Sequence, residues 1–246
     1  MIQNYRWNVA DHAAGYDASA ASVHPYYTEL QEAILAQIDR PEDDDFLLVD
    51  LGGGSGRLVE KFLMRFKNAR AVIVDQSEAF LEIAAARLAP LGGRGSWVVA
   101  RLQDDWRSRL PGAPAVVVSM SAIHHLDSQE KLRVYRQSYD ALQPLGLLLN
   151  GDEIRDPDDG VYLEAMKTWV AHMKKVVAAG LVHDAMHPML AQWEERNTLN
   201  FSQPRVSGDD CHDTIETQLE YFSQCGFGSV SVPWQRQMWA LLKAVK

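Results

Sequence analysis

Asp50, Gly52, Gly54 and Gly56 alternate through Phe-Leu-Leu-Val-Asp-Leu-Gly-Gly-Gly-Ser-Gly (residues 46–56), where an apolar run ends on an acid and enters a glycine turn. Such a turn at the carboxyl end of a first parallel strand lets a nucleotide-bearing ligand come close to the backbone. The phosphate-cradling forms fail, because Arg57 stands where the dinucleotide fingerprint needs a third small residue and no Gly-Lys-Ser/Thr follows. A second apolar run, Ala71–Asp75, also ends on an acid. A carboxylate there has two acceptor oxygens and can take both hydroxyls of a ribose. His124 and His125 follow a fourth apolar run, and histidine is the natural proton acceptor near neutral pH. Either could instead bond backbone groups or cap the helix that starts near Asp127. Asp152 and Glu153, just past a fifth run, could bind an amine or hydroxyl of a substrate, or turn into solvent. His183 and His187 share a helix face by spacing, but Gly180 and Pro188 interrupt the helix and no third ligand is obvious, so no metal is expected.

The elements that must position these groups alternate short apolar runs with amphipathic stretches, the pattern of a βαβ sheet. Strands are expected at Phe46–Asp50, Ala71–Asp75, Ser96–Ala100, Ala115–Met120 and Gly146–Asn150, with helices at Arg57–Lys67, Glu78–Leu88 and Gln129–Leu142. The last helix opens with Asp127 and Glu130 at capping-box spacing and stops before Pro144. A further helix, Thr214–Cys225, precedes strands Ser229–Pro233 and Trp239–Val245 in hairpin order. Two regions lie outside this core of 46–154 and 205–246. Residues 1–45 hold Tyr5, Trp7, Tyr16, Tyr26, Tyr27 and a helix to Ile38, and read as an N-terminal helical cap. Residues 155–204 carry a long helix, Tyr162–Ala179, and an irregular stretch rich in His and Trp, read as a helical lid insertion. An insertion this long is usually functional or has structure of its own. Both regions fall near the carboxyl edge of the sheet and would close over a substrate; a plain packing or dimer element is the alternative.

The 246 residues, 47% of them hydrophobic, suit one compact domain with embellishments. No apolar run reaches the roughly 20 residues of a membrane helix, and no signal-peptide pattern opens the chain. The two cysteines, Cys211 and Cys225, form neither a metal spacing nor a disulfide framework, which suits a cytoplasmic protein with reduced thiols. A net charge of −9 disfavours a large nucleic-acid footprint and favours a small-molecule partner. A homodimer is compatible with all of this.

The acid-x-Gly-x-Gly-x-Gly turn followed by Asp75 resembles class I S-adenosylmethionine-dependent methyltransferases, most strongly over residues 46–150. The resemblance implies an α/β fold, a Rossmann-like sheet of about seven strands with helices on both faces and the last strand antiparallel. It implies S-adenosylmethionine as cofactor and methyl transfer to an O, N or C atom of a small molecule. Asp75, with Gln76 beside it, would hold the adenosine ribose. Asp105, or Asp104 one register earlier, would accept the adenine amino group, and Trp106 would cover the ring. Ser119 would lie beside the methionine moiety. His124 and His125 would be the candidate bases. The segment Ala20–Tyr27 and the ending Gly226-Phe … Trp239-Ala-Leu-Leu-Lys are similar to the branch containing carboxy-S-adenosylmethionine synthase, in which a tyrosine at the position of Tyr27 lies near the cofactor. A nonmethylating enzyme with the same pocket is therefore the alternative. It would need a cation for an added carboxylate, and Arg196 is the rough candidate.

Overall fold

The computed structural model describes residues 6–246; Tyr5 lies outside them. A seven-stranded sheet runs in the order β3-β2-β1-β4-β5-β7-β6. Its strands are β1 Leu47–Leu51, β2 Arg70–Asp75, β3 Gly95–Val99, β4 Val116–Met120, β5 Leu147–Glu153, β6 Ser229–Arg236 and β7 Trp239–Val245. The first five are parallel, and β7 enters antiparallel between β5 and β6. Strand order reverses between β1 and β4. A crevice opens at the carboxyl ends of the strands at such a switch point.

Alternate residues of each strand face opposite layers, as the strand period of two requires. Leu48, Ile73, Val116 and Val118 face one apolar layer, whereas Leu47, Val49, Val72 and Val117 face the other. The first layer is covered by α1 (Ala10–Val23), α2 (Tyr27–Ala36), α3 (Arg57–Arg65), α4 (Glu78–Leu88) and α6 (Asp159–Ala178). The second is covered by α5 (Ser128–Ala141) and α8 (Ile215–Gln224). On α3, Leu58, Val59, Phe62 and Leu63 supply the buried stripe. The capping box at α5 forms: Asp127 accepts from the backbone N–H groups of Gln129 and Glu130, and Glu130 reaches back to the N–H of Asp127.

The structure departs from the sequence expectations at several places, among them the end of β5, which runs past Asn150 to Glu153. Residues 10–23 form α1, although their many small residues give little contrast between faces. The stretch expected to be irregular contains α7 (His187–Glu194), continued by a π-helical turn at Glu195–Leu199. Strand β6 runs past Pro233 to Arg236, because a register shift between Ser231 and Trp234 takes the proline out of the ladder.

Leu145 sits in the turn before β5 with φ 61°, and it is 80% exposed. An L side chain in this left-handed region costs about 1–2 kcal/mol, while glycine costs about 0.5–1 kcal/mol in chain entropy. Leu145→Gly is therefore expected to raise stability by about 0.5–1 kcal/mol. Urea unfolding checks this, and a lowered midpoint would count against the turn geometry.

Candidate functional site

The carboxyl ends of β1, β2, β4 and β5 open into one cavity of about 600 Å³, within the usual range of roughly 300–1,000 Å³ for a small-molecule site. Asp50, Gly52, Gly54, Asp75 and Gln76 line one side. The turn works only with glycine at its tightest point. Gly52 has φ 72°, and a Cβ there would lie 2.4 Å from the Cβ of Ala122. Backbone N–H groups lock the turn to β2: Gly52 donates to the carbonyl of Val74 at 2.7 Å, and Gly54 donates to Oδ2 of Asp75 at 3.0 Å. Ser77 donates its N–H to Oδ1 of Asp75 at 2.8 Å. A carboxylate oxygen has two acceptor sites, so Asp75 keeps acceptor capacity toward the cavity.

Asp50 is 2% exposed, and its Oδ1 has no hydrogen-bond partner. Burial, with the charge of Asp75 second, pushes its carboxyl up to about 7. Burial likewise raises Asp75 to about 6, against the opposing N–H groups of Ser77, Gly54 and Gln76. An orphaned buried acceptor is costly unless a ligand completes it.

The N-terminal helices are pinned over this turn by Asp17 of α1. Its carboxylate accepts from Ser55, Arg57 and Arg87, and the two arginines overcome burial to lower it to about 2. Trp7 packs against Tyr16 and Phe80 with ring centroids 5.0 and 5.6 Å away. Trp169 and Met173 of α6 and Met189, Leu190 and Trp193 of α7 complete an apolar wall opposite the sheet edge.

The third wall is polar. His124 and His125 occupy a 3-10 turn after β4, Glu153 ends β5, and Asp210 arrives from the segment before α8. Nδ1 of His124 lies 2.6 Å from Oδ1 of Asp152 and 3.0 Å from Oε2 of Glu153. One ring nitrogen donates one proton, and the shorter contact takes it, so Oε2 of Glu153 is in charge contact without a hydrogen bond. Burial opposes charge on His124, but Asp152 and Glu153 prevail and hold it well above its ordinary value. The neighbouring His212 is pushed down to about 3 by burial and by the charge of His124, and its Nδ1 is hydrogen-bonded to the hydroxyl of Tyr162. Glu153 also accepts from Ser121 and from the indole of Trp239, and faces Nδ1 of His24 at 3.3 Å. Asp210 lies 3.2 Å from Nδ1 of His125 and 3.7 Å from Nε2 of His124.

Residues 48–146 match the family model described as a methyltransferase domain. Those residues form a class I methyltransferase domain. A methyltransferase of Oceanobacillus iheyensis is 28% identical over 144 residues, 58% of this chain and 60% of that protein. An O-methyltransferase family protein from Burkholderia thailandensis superposes with TM-score 0.64 at 18% identity, covering 95% of this chain and 59% of that one. Human N-acetylserotonin methyltransferase in complex with S-adenosylmethionine gives TM-score 0.60 at 15% identity, with coverages of 96% and 56%. These structural likenesses establish the fold, and the chain spans less than two thirds of the length of each of the three.

Within the methyltransferase domain and its surroundings, Tyr27, Asp50, Gly52, Gly54, Asp75, Gln76, His124 and His125 all line the cavity. The other expected contacts do not. Gly56 starts α3 with φ 77°, and a Cβ there would meet Ile73 and Ala84 at 3.2 and 3.3 Å, so it serves close packing of the helices. Trp106 is fully buried among Val98, Leu126 and Val134, and its indole N–H donates to the carbonyl of Leu102. An indole satisfied in the core cannot cover an adenine. Asp104 and Asp105 are exposed; the first accepts from the N–H of Arg101, and the second pairs with Arg107. Leu102 and Gln103 line the cavity in their place. Ser119 shares the face of Val117, and its hydroxyl donates to the carbonyl of Leu51, tying β4 to β1. Arg196 is fastened to Asp209, to the carbonyl of Asn200 and to that of Pro204, and is not among the cavity residues. His183 accepts from the N–H of Ala185, and its proposed partner His187 lies in the first turn of α7. Sequence reasoning passed over His24 and Asp210, and left Glu153 between substrate contact and solvent.

Proposed function

We propose that this chain is an S-adenosylmethionine-dependent methyltransferase acting on an O, N or C atom of a small, largely apolar molecule. The observation that carries the reading is the buried carboxyl of Asp50, with its unpartnered Oδ1, on a residue that lines the same cavity as the glycine turn, Asp75 and the histidine pair. The residues fit the cofactor: Asp50 suits its ammonium group, Asp75 its ribose hydroxyls, and Leu102 with Gln103 its adenine. When bound, S-adenosylmethionine supplies a methyl group made electrophilic by a sulfonium. The chain's own task is to orient the acceptor and exclude water, and orientation alone can supply up to about 7–11 kcal/mol of a barrier. Residues 1–45 and 155–204 would do this as cap and lid. His124, His125 and Asp210 stand where the acceptor's proton must be handled. The carboxylates of Glu153 and Asp210 disfavour an anionic acceptor, and the wall of Trp169, Met173, Met189 and Trp193 favours an apolar body.

Calorimetric titration with S-adenosylmethionine tests the cofactor assignment. Asp75→Asn keeps one acceptor oxygen but loses the charge, and it is expected to weaken binding by about 1.5–3 kcal/mol, roughly tenfold to a hundredfold. An affinity unchanged within a few tenths of a kcal/mol would remove Asp75 from the site.

A further inference from the structure

We propose that His124, His125 and Asp210 bind a divalent cation of the zinc type, with the open coordination position facing the cavity. The proposal deepens the reading above by giving the acceptor's hydroxyl or amine a ligand site.

Asp210 is hydrogen-bonded to His125 and stands within ligand spacing of both histidines. A charge-assisted N–H···O contact spans about 2.7–2.9 Å, and the His124–Asp152 contact, at 2.6 Å, is that close. Oδ1 of Asp210 stands 3.2 Å from Nδ1 of His125, whose N–H also faces the carbonyl of Asp209 at 3.4 Å and would be displaced by a cation, and 3.7 Å from Nε2 of His124. Ligands at about 2.0–2.1 Å from a tetrahedral zinc are separated by about 3.3–3.5 Å. One ligating atom from each of the three residues falls within 4.8 Å of the others. The rings of His124 and His125 are also close, with centroids 4.0 Å apart.

The outer partners are in place as well. Nδ1 of His124 is committed to Asp152, which directs Nε2 toward Asp210. A carboxylate behind a ligating imidazole is the recurrent support of a zinc site. Asp210 accepts from Nδ2 of the buried Asn197 at 2.9 Å, on the π-helical turn. Two backbone hydrogen bonds join the contributing segments: Gly208 donates to the carbonyl of His125, and Cys211 to that of His124. His124 and Asp210 are each 6% exposed, while the side chain of His125 is 29% exposed. Two imidazoles and one carboxylate with an open position suit zinc or cobalt better than the all-oxygen preference of magnesium and calcium. A hydroxyl ligated there would ionise at a lower pH than in water.

The test is titration of the chelator-treated 246-residue protein with Co2+, followed by Zn2+. The expected result is a single equivalent of cobalt with the visible absorption of a tetrahedral site, displaced by zinc, and a raised thermal midpoint. His125→Ala and Asp210→Asn should each weaken cobalt binding by at least about a hundredfold, and Asp152→Asn by about 10- to 100-fold. Failure of the wild-type protein to bind cobalt stoichiometrically at micromolar concentration would overturn the proposal. So would unchanged affinity in both His125→Ala and Asp210→Asn. Titration of the same samples with S-adenosylmethionine separates the two readings. Cofactor binding without cobalt binding sinks the cation site alone, and cobalt binding without cofactor binding sinks the methyltransferase reading alone.

Discussion

Trp106→Ala is expected to destabilise the fold by about 3–5 kcal/mol while leaving S-adenosylmethionine affinity per folded molecule unchanged. The indole has no exposed surface and packs in the layer shared with Val98, Leu126 and Val134. Truncation leaves a cavity and strips the carbonyl of Leu102 of its indole donor. Both losses fall on the folded state, and the indole itself is not among the residues that line the cavity, as Leu102 and Gln103 are. Denaturant unfolding together with calorimetry decides the matter. A variant of nearly normal stability with a large loss of cofactor affinity would return Trp106 to the adenine and displace Leu102 and Gln103.

Residues with local signals were legible in the sequence. The strand-turn-helix of 46–66, the acid at the end of β2 and the capping box of α5 each depend on neighbours within a few positions, so spacing alone placed them. Trp106 failed because an aromatic after a strand can turn inward or outward with a shift of one residue, and only the packing of α5 decides which. Ser119 failed through strand parity: one step along β4 exchanges the two faces of the sheet. Asp210 and Glu153 carry no local mark at all. Asp210 reaches His125 only because its segment is sewn to the histidine turn by backbone hydrogen bonds. Glu153 is buried because β5 continues beyond Asn150, under the cover of β7 and Trp239. Such long-range closure leaves no trace in periodicity.

The same cavity implies a pH dependence opposite to that of an ordinary acid-stabilised fold. An unfolded aspartate titrates near about 3.9, whereas Asp50 in the fold is raised to about 7 by burial and by Asp75. Between those values the folded state keeps a proton that the unfolded chain has lost, so this contribution to stability falls as pH rises and levels off above about 7. A shift of about three units corresponds to about 4 kcal/mol. Asp75 acts in the same direction, and Asp17, lowered by its arginines, acts in the other. The difference between wild type and Asp50→Asn isolates the effect. The two should be nearly equal in stability below about pH 4, and the variant should be the more stable by up to about 4 kcal/mol at pH 7 and above. Parallel stability curves would show that Asp50 ionises in the fold as readily as in the unfolded chain. A cationic group seated against Asp50 needs the carboxylate, so S-adenosylmethionine binding at pH 5–6 should release more protons from wild type than from Asp50→Asn, in which Asp75 alone remains to lose one. Calorimetry in two buffers of different ionisation enthalpy measures that release. Equal proton release from wild type and Asp50→Asn would place the cofactor's ammonium group elsewhere than Asp50.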